Sequence, residues 1–523
     1  MNYCAATFEN RWVITGTLTT ESPLHLGGGE ITTRGELVDE KDRRPVQVKA
    51  VFTDHQGRAC LPGSSLRGVL RERLAALLGQ PGLTKDQQHL TVLKLFGKPE
   101  PRGVDERARI NQAGHGGRLA VRDALVAVEP FSSPANWHAP PFWDDRRRTG
   151  VASGVALNRR TRTAAAQKLF HYEFVPPGVA FSLKLIGENL DDADIAHLLR
   201  ALDEFNPDSA NPLTLGADTG NGWGRLRWTL GEVRQLTAAE VRQALDGWLK
   251  NPASLSPGGN VAKVRTRDLP PVSVSPPSAP QSFKLRLLFD GPFLVKRPAK
   301  PKAKGDTDTP NAQPHLDERG HVVLPAASFR GALRAQAERI LRTMALAFHP
   351  NLPPEELNRL APDPTATAET LRDRQWHKLS LAGRLFGVSG WRSPVDVTDF
   401  TEQEASFAEL FMQDFLAIDR FTGGGKDGAK FKFQAAFAPR LTGRITLRFR
   451  PGTLEAELGP GLLALTLRDV LEGDVTFGLG AGKGYGACHG ESPEILQWFK
   501  EAAASVDSLR KYVREQKWKE AKP

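Results

Sequence analysis

Apolar and polar residues alternate at two places, one near the start of the chain and one just past its middle. Arg11 to Thr20 reads RWVITGTLTT and Ser282 to Phe289 reads SFKLRLLF. This period of two, with many β-branched residues, predicts two strands. A period of three to four follows the first strand and predicts a helix with Ser64 as N-cap and Gly79 as its end. Its apolar face consists of Leu66, Val69, Leu70, Leu74 and Leu77.

The chain contains an internal repeat. Three pairs of segments match, at offsets of 263, 261 and 262 residues: LPGSSLRGVLR (61–71) with LPAASFRGALR (324–334), LNRRT (157–161) with IDRFT (418–422), and TLGADTGNGWG (214–224) with TFGLGAGKGYG (476–486). Three separate landmarks at nearly one spacing predict two copies of a single module.

Both copies carry the pattern of an α+β module. Strand-like and helix-like segments follow in the order β-α-β-β-α-β, which predicts a ferredoxin-like sheet of the RNA-recognition type. Residues 251–282 contain seven prolines together with serine and glycine, so they predict an extended linker. We therefore expect module one at residues 1–250 and module two at residues 283–523. Module two ends in an amphipathic helix whose predicted apolar face is Leu496, Phe499, Ala503, Val506 and Tyr512.

Composition narrows the classes of function. Seventy Lys and Arg against sixty Asp and Glu give a net charge of +10, which favours an anionic partner such as nucleic acid. The three cysteines form no CxxC pair, so neither a disulfide framework nor a cysteine-built zinc site is expected. Without a long apolar run or a signal-peptide core, the sequence predicts a soluble, cytoplasmic protein. No HExxH, Walker or GxSxG motif is present, so the corresponding metalloprotease, NTPase and hydrolase readings lack support.

The repeated helix carries candidate phosphate-binding groups at its N-terminal end. A helix N-terminus attracts anions, and arginines four residues apart share one face of the helix. The candidates are Ser65, Arg67 and Arg71 in module one and Ser328, Arg330 and Arg334 in module two. The alternative is an ordinary capped amphipathic helix with solvated arginines.

The repeated glycine-rich segments place an aromatic residue between glycines. Glycine permits close approach of another chain, and the aromatic side chain either stacks on a base or faces the core. No helix follows, so a dinucleotide-binding loop is rejected. These candidates are Gly222 and Trp223 in module one and Gly484 and Tyr485 in module two.

Basic residues at the second landmark form the next group of candidates. Arg159 and Arg160 belong to module one, and Arg420 and Lys426 belong to module two. Basic residues near aromatic ones are typical of a groove for single-stranded RNA. A solvated run of charges is the alternative.

Carboxylates stand between the opening strand and the first helix of each module. They are Asp39 and Asp42 in GELVDEKDRRPV, and Asp306 and Asp308 in KGDTDTP. A loop carboxylate beside a phosphodiester acts as a general base on a 2′-hydroxyl or holds a divalent metal. Loop aspartates also commonly cap turns, which is the alternative.

As an ordered set, PLHLGGG, LPGSSLRGVLR, LNRRTRTAAAQKLFHYEF and the terminal glycine-rich segment resemble the RAMP superfamily of CRISPR systems. Specifically, they resemble the backbone subunits of type III effector complexes. A tandem fusion of two such subunits is similar to the double-module proteins of III-D-like complexes.

The resemblance implies a function for each module. A modified ferredoxin-like palm would grip guide RNA, with His25 of PLHLGGG among its RNA-binding residues. A β-hairpin thumb, at residues ~124–153 and ~400–416, would interrupt the guide–target duplex. The partners would be guide RNA, target RNA, other RAMP-type subunits and a large polymerase-like subunit.

The resemblance also implies an RNA-guided endoribonuclease. The aspartate before the PGSS-type helix would cleave target RNA with a divalent metal, Mg²⁺ or Mn²⁺. Asp308 matches by position in module two, whereas module one leaves Asp39 and Asp42 as alternatives. A non-catalytic guide-RNA scaffold and a guide-precursor processing endoribonuclease are the alternative functions.

Overall fold

The computed structural model describes residues 7–38, 44–79, 90–97, 116–127, 137–158, 161, 163–242, 262–272, 279–298, 306, 308–362, 376–403 and 407–519. Four of the candidate residues lie outside the described residues: Asp39, Asp42, Arg159 and Arg160. Among the described residues, no helix has the length and apolar content that crossing a membrane requires.

Module one is built on an antiparallel sheet centred on the predicted opening strand. Strand β1 (Asn10–Thr20) lies between β9 (Ala180–Glu188) and β10 (Leu226–Thr237). The sheet is completed by β4 (Cys60–Leu61), β5 (Leu119–Val121), β6 (Ala124–Val126) and β11 (Ala262–Val264). Its helices are α1 (Gly63–Leu78), α2 (Leu90–Phe96) and α3 (Asp192–Asp203). Leucines of α1 and α3 and the apolar faces of the strands form one core.

Module two repeats this arrangement. Strand β12 (Gln281–Phe289) lies between β19 (Arg440–Leu447) and β20 (Cys488–Glu491). The remaining strands are β14 (Val323–Leu324), β15 (Val395–Val397) and β16 (Phe400–Glu402). The helices are α4 (Ala326–Phe348), α5 (Pro354–Leu360), α6 (Leu381–Phe386), α7 (Leu454–Leu471) and α8 (Pro493–Arg514). A second core fills this module, so the prediction of two α+β copies is confirmed.

A smaller sheet in each module carries a long hairpin. In module one the order is β2 (Gly27–Val38), β3 (Pro45–Val51), β8 (Thr163–Phe174) and β7 (Gly150–Asn158). In module two it is β13 (Pro292–Phe293), β18 (Gly425–Phe437) and β17 (Leu410–Ile418). The hairpins therefore begin inside the intervals expected for the thumbs, ~124–153 and ~400–416, and extend beyond them. Those two intervals begin with β6 and β16, which belong to the main sheets.

Helix α1 begins differently from the prediction, and α4 begins in the same way as α1. Pro62 is the N-cap of α1, and Ser64 is the second residue of the helix. Instead, the Gly63 N–H donates to Asp123 Oδ1 at 2.7 Å. The Ala326 N–H of α4 donates to Asp399 Oδ1, also at 2.7 Å. A carboxylate from the turn between two short strands therefore satisfies the first amide of both helices.

Two other sequence expectations are modified. The C-terminal helix buries Ile495, Trp498, Ala502, Leu509 and Val513 against module two. Its buried face is therefore rotated from the predicted one, and Leu496 is exposed. Within the expected linker, β11 pairs with β10, and residues 251–261 and 273–278 lie outside the described residues. The boundaries of the two modules remain predictions.

Candidate nucleic-acid interface

An aromatic surface lies at the base of the first hairpin. Phe170 and Tyr172 of β8 stack at 5.9 Å between centroids with an interplanar angle of 24°. Trp223 packs on Tyr172 at 5.4 Å. Phe170 is 47% exposed, and the Lys49 ammonium lies 5.9 Å from the centroid of its ring. We call Phe170, Tyr172 and Trp223 the first aromatic platform.

Module two has a corresponding surface on β17 and β18. Phe431 and Phe433 lie 5.4 Å apart, and Phe415 stacks on Phe431 at 5.0 Å with an interplanar angle of 12°. The Lys483 ammonium is 5.5 Å from the centroid of Phe431. We call Phe415, Phe431 and Phe433 the second aromatic platform.

The strand register makes the platforms equivalent. Leu24 bridges Val175, and Phe293 pairs with Ala436 at the same point of the second hairpin. Val175 therefore corresponds to Ala436, an offset of 261 residues. With the same offset, Phe170 corresponds to Phe431 and Tyr172 to Phe433. Sequence reasoning missed these rings, although the offset of LNRRT and IDRFT would have found them.

Each platform has a lysine ammonium close to an aromatic ring. The ring can stack on a nucleobase, and the ammonium can bind the phosphate of the same nucleotide. Bases of any identity stack on aromatic side chains, and a nearby lysine attracts the backbone. His25 supports the first platform because its Nδ1 hydrogen bonds the Glu173 carbonyl oxygen at 2.7 Å. Its ring meets Tyr172 edge-on at 5.7 Å. Burial raises the pKa of Tyr172, so its hydroxyl stays protonated.

The two glycine-loop aromatics differ in their surroundings. We define the first glycine loop as residues 214–224 and the second as residues 476–486. Tyr485 is 1% exposed, and its hydroxyl donates to Gln413 Oε1. Of the two alternatives, stacking on a base or facing the core, the structure places Tyr485 in the core. Trp223 is half-buried between Tyr172 and Phe174 and lines a cavity, so it completes the first platform.

The repeated arginines make internal contacts. Arg67 donates to the carbonyl oxygens of Leu119 and Phe96 at 2.6 and 2.7 Å. Arg330 donates to the Phe386 carbonyl at 2.7 Å and to Asn221 Oδ1 of module one at 2.8 Å.

The remaining residues of this candidate group lie at the same helix ends. Arg334 donates to Gly387 O and pairs with Glu338, both at 2.9 Å, and Arg71 is half-buried. The backbone N–H groups of Ser65 and Ser328 donate to the carbonyls of Pro62 and Pro325.

These contacts give Arg67, Arg330 and Arg334 a structural role. Asp123 and Asp399 place a carboxylate at the two helix N-termini, which disfavours a second anion there. Phosphate binding at these two ends was predicted from the positive end of a helix and from nearby arginines. In the structure, the positive end of each helix instead binds a carboxylate of the same module, Asp123 or Asp399.

The tip of the second hairpin is basic and apolar. Phe421 is 99% exposed, and Arg420 and Lys426 are exposed beside it. Asp419 Oδ1 accepts the N–H groups of Phe421 and Thr422 at 2.8 and 3.2 Å, which holds the turn. The outer face of the hairpin also exposes apolar residues: Leu410, Met412, Leu416 and Ile418. Contiguous exposed apolar residues commonly mark a surface that binds a partner.

The two candidate carboxylates of module two have different environments. Asp306 Oδ1 accepts the N–H groups of Asp308 and Thr309, each at 3.0 Å, so Asp306 caps a turn. Asp308 is exposed. Three residues later, the Asn311 N–H donates to the Lys432 carbonyl at 2.7 Å, and Asn311 Oδ1 accepts the Lys432 N–H. The loop is therefore fastened to the hairpin next to Asp308.

The described residues around Asp308 do not fit a metal site built by protein ligands alone. Among the described residues, no third carboxylate or imidazole lies within reach of Asp306 and Asp308. In the described part of the chain, the one trio of acidic groups close enough to share an ion is Asp469, Glu472 and Asp474. Asp469 already accepts hydrogen bonds from Gln336 and Arg468, so these internal partners account for its position.

A cavity of about 440 Å³ separates the two modules near the first platform. Trp223 lines it from module one, and Glu318, Asp399 and His315 line it from module two. Burial raises the pKa of Glu318 to about 7 and that of Asp399 to about 6. Burial also lowers the pKa of His315 to about 4. All three groups are therefore held toward their neutral forms.

Comparison with known families agrees with the repeated architecture. A family model described as the RAMP superfamily matches residues 17–227 and residues 287–489. The two matches fall on the two modules and together cover more than half of the chain. None of the functionally curated proteins matches the sequence.

Proposed function

Because the chain belongs to the RAMP superfamily, we propose that it is a guide-RNA-binding backbone subunit of a type III CRISPR effector complex, with two backbone modules in one polypeptide. In this proposal each module grips guide RNA and admits complementary target RNA. Other RAMP-type subunits and a large polymerase-like subunit would complete the complex.

The duplicated aromatic platforms carry this proposal. Each lies beside a long hairpin and supplies an aromatic ring with a lysine within 6 Å of its centroid. Sequence-independent stacking and charge suit a guide whose sequence varies, because base pairing then supplies specificity. The strand order β10-β1-β9-β6, with α1 and α3, supports a ferredoxin-like palm. The hairpins β7–β8 and β17–β18 would be the thumbs.

We further propose that Asp308 cleaves target RNA beside the second hairpin. Its carboxylate would accept the proton of a 2′-hydroxyl, whose oxygen attacks the adjacent phosphorus. The bond to the 5′-oxygen breaks, that oxygen takes a proton from water, and a 2′,3′-cyclic phosphate remains. The protein's contribution is to hold the nucleotide so that its own nucleophile is in line. In module one the same role falls to Asp39 or Asp42, which lie outside the described residues.

Cleavage by the assembled complex tests the proposal. Complexes carrying guide RNA would be mixed with end-labelled complementary RNA, using single Ala variants of Asp39, Asp42, Asp306 and Asp308. We expect the Asp308 variant to lose one fragment, and the variant of Asp39 or Asp42 to lose another. Asp317→Asn is a matched control, because Asp317 also caps a turn before α4 and an asparagine oxygen can still accept the Arg319 N–H.

Unchanged fragments in all four variants would leave the alternative function of a non-catalytic scaffold. Absence of guide RNA from complexes purified with the wild-type chain would contradict RNA binding itself. Cutting of precursor RNA by the isolated chain in EDTA would instead favour a processing endoribonuclease.

A further inference from the structure

The two modules meet through a contact between different surfaces. Asn221, in the 3₁₀ turn Thr219–Asn221 of the first glycine loop, accepts a hydrogen bond from Arg330 of α4. A Cβ added to Gly220 would lie 3.0 Å from Arg330 Nη1, and one added to Gly222 would lie 2.9 Å from Thr398 Cα. At Gly222, whose φ is +77°, only glycine permits this approach, whereas at Gly220 the near atom is the movable end of the Arg330 side chain. We call Arg330, Asp396, Thr398, Arg444 and Arg448 the second socket.

Module one carries a related surface at equivalent positions, although Arg67 Nη1 donates to the Leu119 carbonyl of its own module where Arg330 Nη1 donates to Asn221. Arg67 and Arg330 each donate to the carbonyl of a phenylalanine in an LFG segment. The Arg122 N–H donates to Lys184 O at 3.2 Å, as the Thr398 N–H donates to Arg444 O at 3.0 Å. These bonds define the first socket, which consists of Arg67, Ala120, Arg122, Lys184 and Glu188. Arg122, Lys184 and Glu188 are all exposed.

The second glycine loop is exposed where the first is covered. A Cβ added to Gly482 or Gly484 would meet nothing within 4 Å. Lys483 occupies the place of Asn221 and is exposed, and its ammonium also lies 5.5 Å from the centroid of Phe431 in the second aromatic platform. The chain thus contains one completed loop–socket junction, an exposed loop at the end of module two and an exposed socket on module one. A contact between two different surfaces that does not close into a ring can continue from subunit to subunit.

The exposed second glycine loop and the exposed first socket carry charges of the same sign. These charges disfavour a junction between two copies of this chain. At the internal junction, burial lowers the pKa of Arg330, and the negative charges of Asp396 and Asp218 counteract that effect. The second loop has Gly480 in place of Asp218 and Lys483 in place of Asn221. Against the first socket, Lys483 of another copy would meet Arg67, Arg122 and Lys184, while the carboxylate of this socket, Glu188, is already paired with Arg11 at 2.6 Å. Like charges brought together at an interface reduce affinity and exclude the wrong partner.

We infer that the second glycine loop docks into the socket of a different chain with the same fold, whose socket is acidic where the first socket is basic. The first socket correspondingly receives a loop bearing an acidic side chain. The inference rests on the proposed function only for the existence of other RAMP-type subunits. Its consequence is that each chain occupies one defined place in an assembly.

Reversing one charge in the first socket tests this inference with this chain alone, so the partner does not have to be identified. The wild-type chain should be monomeric in sedimentation velocity at low salt and without RNA. Arg122→Glu should self-associate, at least about fivefold more tightly than wild type, because Lys483 of a second copy then meets an opposite charge. Added salt should weaken that association. Lys184→Glu should have the same effect and guards against misfolding of one variant.

Two further proteins complete the experiment. Lys500→Glu makes the same charge change on the exposed side of α8 and should remain monomeric. Adding Lys483→Glu to Arg122→Glu should restore the monomer. The inference is wrong if wild type self-associates at low salt, or if Arg122→Glu and Lys184→Glu behave like Lys500→Glu. Guide-RNA binding by wild type is measured separately, so its failure would refute the proposed function and leave this result intact.

Discussion

Phe170 and Tyr485 show that exposure determines what an aromatic residue can contribute. Both belong to aromatic clusters at the base of a hairpin. Phe170 is 47% exposed beside Lys49, whereas Tyr485 is 1% exposed and hydrogen bonded to Gln413. An exposed ring can exchange water for a base, but a buried ring must first leave the core. The two residues should therefore respond to truncation in opposite ways.

Phe170→Ala should weaken binding of single-stranded RNA and leave stability almost unchanged. Loss of one stacked base costs ~1–3 kcal/mol, which corresponds to a fivefold or greater loss of affinity. Filter binding with a mixed-sequence RNA measures the affinity, and thermal unfolding measures the stability. The loss should be similar for RNAs of different sequence, because stacking does not depend on base identity.

The matched control is Tyr485→Ala, which removes a buried ring of the second module. A large-to-small change in a core costs ~3–5 kcal/mol for an aromatic side chain. Its unfolding midpoint should fall clearly, whereas the Phe170 variant should keep the wild-type midpoint. Normal RNA affinity in the Phe170 variant would contradict the platform.

Sequence reasoning found the residues that are marked by a local pattern and missed those whose role depends on the folded structure. Trp223 and Tyr485 were found because identical glycines surround both in the repeat. Phe170 and Phe431 were missed because their role depends on which strand face the small sheet leaves exposed. Arg67 and Arg330 were assigned to phosphate because their carbonyl acceptors, Phe96 and Phe386, lie far away in sequence.

At the scale of elements, local patterns predicted where the helices and strands lie. They predicted less well which residues cap a helix and which face of it is buried. The leucine period located α1 and its end at Gly79, and alternation located β1 and β12. The cap of α1 was misassigned to Ser64 because the actual partner, Asp123, lies 60 residues after Gly63. In α8 the period was read correctly, but burial of Trp498 against Phe283 sets which face is inward.

Asp123→Ala should destabilise module one by ~1 kcal/mol, within the range of ~0.5–2 kcal/mol for loss of a helix cap. The Gly63 N–H would then lose its carboxylate acceptor at the start of α1. Ser64→Ala is the matched control and should change the unfolding free energy by less than ~0.5 kcal/mol, as surface substitutions usually do. Urea unfolding compares both variants with wild type. A larger effect of Ser64→Ala than of Asp123→Ala would restore the cap predicted from sequence.

At the scale of the whole molecule, the cavity between modules arises from segments that no local pattern connects. The His138 N–H of module one donates to the Glu318 carbonyl at 2.7 Å, and Trp223 and Asp399 both line the cavity. The repeat predicted two similar halves, but it contains no information on their mutual packing. That packing places two carboxyl groups and a histidine in surroundings that disfavour their charged forms.

The cavity should make stability depend on pH through Glu318. Burial, with the neighbouring charges of Asp317 and Asp399, raises the pKa of Glu318 to about 7 in the folded protein. The folded state then binds a proton that the unfolded state has already released, so Glu318 favours folding at low pH. This contribution to the free energy of unfolding is lost as pH rises through about 7. Asp399 acts in the same direction up to about pH 6, and His315 acts in the opposite direction as its folded pKa is about 4.

Comparison of wild type with Glu318→Gln at each pH isolates the effect of this carboxyl group. Asp399 and His315 are present in both proteins, so their contributions largely cancel in the difference. Glutamine stays neutral, so the variant should gain stability over wild type as pH rises from about 5 to 8. The gain should reach roughly 1–3 kcal/mol, since one unit of pKa corresponds to about 1.4 kcal/mol. Urea unfolding across this range measures it, with Glu457→Gln on the exposed face of α7 as a matched control. A stability difference that does not change between pH 5 and 8 would show that the Glu318 carboxyl is not held in its neutral form by the junction of the modules.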